Sequence, residues 1–170
     1  MKFRWSMIVP VLAVILVGGV LAGLYWTGGT FFSEEENSEQ SSSAQPSGLP
    51  LPTREEETAL VSETMRTFAR ALVQKDFNSF YGSTSAAWQK QILPEDMAAA
   101  FKHFLPFARE VQTAVTADDP FFNAPPSINE KKVLTVQGFY RIEGTKMLFN
   151  LQYIREKDAW KLFGMNLDVK

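Results

Sequence analysis

From Leu134 onward the chain alternates. Leu134, Val136, Gly138, Tyr140 and Ile142 share one parity of the run KVLTVQGFYRI, and Met147, Phe149, Leu151 and Tyr153 share one parity of the run KMLFNLQYIRE. A period of two places such residues on one side of a strand, so each run sets an apolar face against a mixed one. Glu143-Gly144-Thr145 and Lys157-Asp158 are the turn candidates between these runs and a third, AWKLFGMNLDV. In the third run the parity changes. Trp160 and Leu162 fall on one side, and Phe163, Met165, Leu167 and Val169 on the other, a conflict that a β-bulge at Leu162–Gly164 reconciles. The expected product is a strongly curved antiparallel sheet. Burying each large side chain of its apolar face is worth roughly 1.5–3 kcal/mol, so a covering layer is expected.

The cover lies upstream. Thr53 and Glu56 match a capping box, and Glu55 to Glu57 suit the positive end of a helix dipole. Val61, Met65, Phe68 and Leu72 then recur at helical spacing, with Leu60, Ala69 and Val73 widening the stripe. Lys75-Asp76 interrupts it, and Asp76 is placed to cap a short second helix that carries Phe77, Phe80 and Tyr81 and stops at Gly82. Ser83-Thr84-Ser85 reads as a turn with local hydroxyl-to-backbone bonds, followed by a helical turn or two with Trp88 and Ile92. Pro94-Glu95-Asp96 opens a further helix with Met97, Phe101, Phe104 and Ala108 on one face, which Pro106 is expected to bend or end. Val111 to Thr116 alternates and is expected to form a short first strand, and Asp118 to Glu130 a loop without period. The fold class is therefore α+β: about three helices packed on a strongly curved antiparallel sheet of three to four strands, behind an N-terminal transmembrane helix.

That N-terminal helix rests on Met7 to Trp26, 20 residues without a charged side chain, enough to extend roughly 30 Å as a helix. The segment is a membrane anchor or a signal peptide. Val20 and Ala22 have the small-residue spacing of a cleavage site. Apolar character nevertheless continues through Leu24, Tyr25 and Trp26, where an interfacial aromatic belt would sit, which favours a retained anchor. Lys2 and Arg4 before it and Glu34 to Glu36 after it set the N-terminus in the cytoplasm and the remainder outside, in the periplasm, or secreted if the leader is cleaved. Residues 1–6 are then a basic cytoplasmic start, 7–26 the anchor, 27–52 an acidic, Ser-rich flexible linker, and 53–170 one globular domain.

Charge adds little. Of 17 basic and 19 acidic residues, 15 of each lie from Arg54 onward, so the domain is neutral by count and no cluster of cations suggests nucleic acid. With no cysteine there is neither a disulfide framework nor a thiol nucleophile. With one histidine, His103, a multi-histidine metal site is excluded, and no motif points to a cofactor or metal.

The pieces RALVQKDFNSFYGSTSAAWQKQI and VLTVQGFYRIEGTKMLFNLQYIREKDAWKLFGM resemble, in order and spacing, the nuclear-transport-factor-like superfamily, the α+β cone shared with ketosteroid isomerases. The resemblance covers roughly Arg54 to Lys170. It implies helices packed into the concave face of a curved sheet with a pocket at the wide end, and Trp88, Phe101, Phe104, Tyr140, Phe149 and Tyr153 are the candidates to line that pocket. Phe121 and Phe122, adjacent rings that do not easily both point inward, are candidates for its rim or for a partner surface. An isomerase of this family needs an inward-facing carboxylate and an oxyanion donor, and a dehydratase a pocket histidine. The faces read as inward carry no such set, so no catalytic residue is assigned. The expected function is a non-enzymatic, membrane-tethered extracytoplasmic domain that binds a partner protein, a second copy of itself or a small apolar ligand in its cone. The alternatives are an isomerase- or dehydratase-like enzyme, with His103, Tyr140 or Tyr153 as its available groups, and an assembly subunit of an envelope secretion complex.

Overall fold

Thr53 starts the first element by the expected mechanism. Its hydroxyl accepts the Glu56 backbone N–H at 3.2 Å while the Glu56 carboxylate accepts the Thr53 N–H at 2.8 Å, which holds the Glu56 carboxyl below its ordinary range. The helix it opens, α1 (Arg54–Gln74), ends where Lys75 turns left-handed at φ 55°. There the Lys75 and Asp76 N–H groups return to the Leu72 and Ala71 carbonyls in a Schellman pattern. Thr53→Ala removes a helix cap and is expected to cost about 0.5–2 kcal/mol, read from urea unfolding, whereas loss below a few tenths would show the cap to be idle.

The computed structural model describes residues 48–170. The basic start at 1–6, the span expected at 7–26 and the linker as far as residue 47 lie outside the described residues. No helix among the described residues is long and apolar enough to cross a membrane. After α1 come α2 (Asn78–Ser83), α3 (Ala86–Gln89), α4 (Pro94–Phe101), a 3-10 helix (Lys102–Phe107) and α5 (Ala108–Ala117). The strands are β1 (Phe121–Phe122), β2 (Ser127–Ile128), β3 (Leu134–Ile142), β4 (Thr145–Glu156) and β5 (Ala159–Val169). They form one antiparallel sheet in the order β1-β3-β4-β5, with β2 also on β3.

The three long strands and both turns lie where the alternation put them. The bulge is also present: Gln152 pairs with Gly164 but Tyr153 with Leu162, so Phe163 is the extra residue and Leu162 rejoins Met165 and Leu167 on the buried face. Asp76 accepts the Asn78 N–H at 3.0 Å, and the hydroxyls of Ser83 and Thr84 return to the Phe80 and Tyr81 carbonyls. Phe77 precedes α2 rather than lying within it, and the helix runs one residue past Gly82. Ser85 caps α3 through the Trp88 N–H.

Pro106 acts as expected: without an N–H for the Lys102 carbonyl the α-helix does not continue, so α4 ends at Phe101 and the chain passes through the 3-10 helix that contains Pro106 before α5 begins at Ala108. Two expectations need correction. Val111 to Thr116 is helical, part of α5, with Ala108, Val111, Ala114 and Val115 buried at spacings of three and four. The stretch Asp118 to Glu130 contributes β1 and β2, so the sheet has five strands rather than three to four. The core lies between the helices and the face of the sheet that carries Leu134, Val136, Tyr140, Met147, Leu151, Tyr153, Met165 and Leu167.

Candidate functional site

One position on the core stripe of α1 is not apolar. Counting back a helical turn from Val61 reaches Glu57, on the same face as Val61, Met65, Phe68 and Leu72, and this glutamate is only 1% exposed. Its Oε2 accepts from the Arg54 guanidinium at 3.1 Å, while its Oε1 has no hydrogen-bond partner among the described residues. Burial raises the Glu57 carboxyl above the ordinary range, and Arg54 opposes the rise without cancelling it.

Glu57 forms part of the wall of a cleft of about 400 Å³, lined by Pro52, Arg54, Glu57, Phe122, Asn123, Ala124, Pro125 and Pro126. The loop side of the cleft is fixed by the sheet. Phe122 stands opposite Gly138, the Asn123 N–H donates to the Gln137 carbonyl at 3.1 Å, and β2 returns the chain to β3 beyond the two prolines. The Arg54 guanidinium lies over the Phe122 ring, 3.9 Å from its centroid, and that ring packs edge-to-face with the core ring of Phe149, centroids 6.3 Å apart. The cleft therefore presents a buried carboxylate, an aromatic face and proline walls without N–H donors.

The aromatic candidates lie elsewhere. Trp88, Phe101, Phe104, Tyr140, Phe149 and Tyr153 are each 4% exposed or less, and none of them lines this cleft. Phe101 and Phe104 pack on Phe68 at ring distances of 4.9 and 6.2 Å. The Tyr153 hydroxyl donates to Thr64 at 3.1 Å. The Tyr140 hydroxyl, beside Ser62, makes no hydrogen bond of normal geometry, and burial pushes it up to about 12; burial raises Tyr153 as well. Both are neutral at physiological pH. The rim candidates divide as adjacent strand residues must: Phe122 turns to the cleft, and Phe121, 36% exposed, stacks on Phe139 under the Arg141 guanidinium. His103 is exposed, and no cluster of His, Asp or Glu fit for a metal exists among the described residues.

Reading the sequence missed Glu57, because three consecutive glutamates in a first helical turn are explained by the dipole alone. The available signal was phase: Glu57 continues the apolar stripe, whereas Glu55 and Glu56 do not. Its folded-state proton affinity exceeds that of the unfolded chain, so the native state binds more protons between the two values. Stability owed to Glu57 is then greatest below the unfolded value, falls as pH rises through the interval, and is lowest above the folded value. Glu57→Gln is expected to melt higher than wild type at pH 7, and to lose that gain at pH 4. An identical difference at both pH values would show that Glu57 titrates normally. No family model, curated protein or solved structure matches this chain.

Proposed function

We propose that residues 53–170 are a non-enzymatic, extracytoplasmic binding domain, tethered to the membrane through residues 7–26, whose ligand occupies the cleft at the base of α1. The observation that carries this reading is Glu57, a carboxylate 1% exposed with one oxygen unpartnered among the described residues, on the wall of an open cleft of about 400 Å³. Native proteins rarely leave such a group unsatisfied without a use for it. The likeness to the nuclear-transport-factor-like superfamily, and the strongly curved sheet it implies, belong to the same proposal. Helices on one face of an antiparallel sheet and the bulge at Phe163 support them. The exposure of His103 and the burial of Tyr140 and Tyr153 among core side chains favour binding over isomerase or dehydratase chemistry.

A fragment screen on the full chain, followed by isotope-edited NMR, tests the site. Ligands are expected to shift Phe122 and Asn123 resonances and to lose affinity in Glu57→Gln; hits confined to the Trp88 and Phe101 surroundings would overturn it. Alkaline phosphatase fused after Lys170 is expected to be active and to stay with the membrane after alkaline washing. An inactive fusion would remove the extracytoplasmic placement, and an active but freely soluble one the tether. Deleting residues 7–26 while preserving export should leave ligand binding intact, whereas a subunit of an envelope assembly would lose its role.

A further inference from the structure

Resting on that reading of the cleft, we infer that its ligand is an organic cation, a guanidinium or ammonium group on an apolar body, and that the Arg54 side chain is a resident competitor for its place. Three contacts recognise such a group: a desolvated carboxylate, an aromatic face and apolar walls. All three meet here, and a cation of this chain already occupies them. The Arg54 guanidinium is 3.1 Å from Glu57 Oε2 and 3.9 Å from the Phe122 centroid, yet its side chain is 63% exposed. It is thus free to swing out into water. Its hold is also incomplete, because one guanidinium nitrogen reaches one carboxylate oxygen and Oε1 is left without a donor. A free guanidinium, not restrained by attachment to the first turn of α1, can pair with Oε2 from the cleft and reaches the buried Oε1, for the stronger side-on geometry, only where the Arg54 side chain has swung out.

The other ligand classes fit less well. An anion would face the Glu57 carboxylate and walls in which Pro52, Pro125 and Pro126 offer no N–H, against the single guanidinium of Arg54, which Glu57 already engages. A purely apolar ligand would leave the already buried Oε1 without a donor. The acidic linker, with Glu34, Glu35, Glu36 and Glu39, brings the wrong charge to serve as the occupant. The cation has two sources of identical chemistry, an arginine or lysine side chain of a partner protein or a free amine, and these are separated by experiment.

The full chain as wild type, Arg54→Ala and Glu57→Gln is titrated with ethylguanidinium and with ethylurea, its uncharged analogue of like shape, following Phe122 and Asn123 by NMR. Arg54→Ala is expected to bind ethylguanidinium about tenfold tighter than wild type, neither protein to bind ethylurea, and Glu57→Gln to bind neither compound. Should Arg54→Ala melt too low to titrate, millimolar ethylguanidinium is expected to raise its melting temperature where ethylurea does not. Titration with a blocked Gly-Arg-Gly peptide and with spermidine then distinguishes the two sources. Equal response to ethylurea and ethylguanidinium, or no gain and no rescue in Arg54→Ala, overturns the cation inference. If fragment-screen ligands still depend on Glu57, the cleft reading survives that failure. If no molecule disturbs Phe122 or Asn123, both readings fall.

Discussion

Phe68→Ala is expected to destabilise the domain by about 3–5 kcal/mol, a large share of the roughly 5–15 kcal/mol that holds a domain folded. The magnitude follows from where this one ring sits. From α1 it meets Phe77, Phe80, Phe101 and Phe104 at centroid distances of 6.3, 5.5, 4.9 and 6.2 Å, each pair edge-to-face, so it joins α1 to the segments around α2, to α4 and to the 3-10 helix. Each such pair adds roughly 0.5–1.5 kcal/mol beyond burial, and truncation leaves a cavity that four rings cannot all collapse into. Phe68→Leu, which keeps most of the volume, is expected to cost less than half as much. Urea unfolding followed by circular dichroism measures both. A loss below about 1.5 kcal/mol for the alanine variant would mean that the rings repack around the gap and that no single side chain holds the helical layer.

The elements legible in the sequence are those whose pattern repeats often enough to have a phase. In β3 and β4 five and four same-parity apolar residues settle the period, and in α1 the stripe from Val61 to Leu72 does the same. Even the bulge could be placed, because it is the one break in an otherwise regular run. Short elements give no phase. Val111, Thr113 and Val115 satisfy a period of two, but Ala108, Val111, Ala114 and Val115 satisfy the helical period equally well. Tertiary packing on α1, where Arg66 also reaches the Val115 carbonyl, decides between them. β1 and β2 have two residues each and no period at all; they exist because β3 is long enough to offer them an edge. The cleft was hidden for a related reason. It joins residues separated by more than sixty positions, and only the register of Phe122 against Gly138 brings the Pro-rich loop to the first turn of α1.

That register depends on a missing side chain, and Gly138→Ala is expected to be the most disruptive small change in the sheet. A Cβ at Gly138 would collide with the Phe121 carbonyl oxygen and come within 2.6 Å of the Phe149 ring. One of these neighbours is backbone, so no rotamer change relieves the contact. Inserting a methyl group into a packed site costs about 1–3 kcal/mol, and a backbone clash puts this one at or above the upper end. Gly82→Ala is the control. Nothing lies near that position in α2, and the substitution is expected to be neutral or to stabilise by up to about 1 kcal/mol, since alanine loses less backbone entropy in a helix. The clash at Gly138 also has a direction. Pushing β1 away from β3 lifts Phe122 from Phe149 and takes the aromatic face from beneath Arg54. In wild type the Arg54 side-chain protons are expected to be shifted upfield by the Phe122 ring current. In Gly138→Ala that shift should shrink together with ligand binding at the cleft, even where the domain still melts cooperatively. Retention of the full shift alongside a large loss of stability would locate the strain at Phe149 and the core, and would separate the sheet's integrity from that of the site.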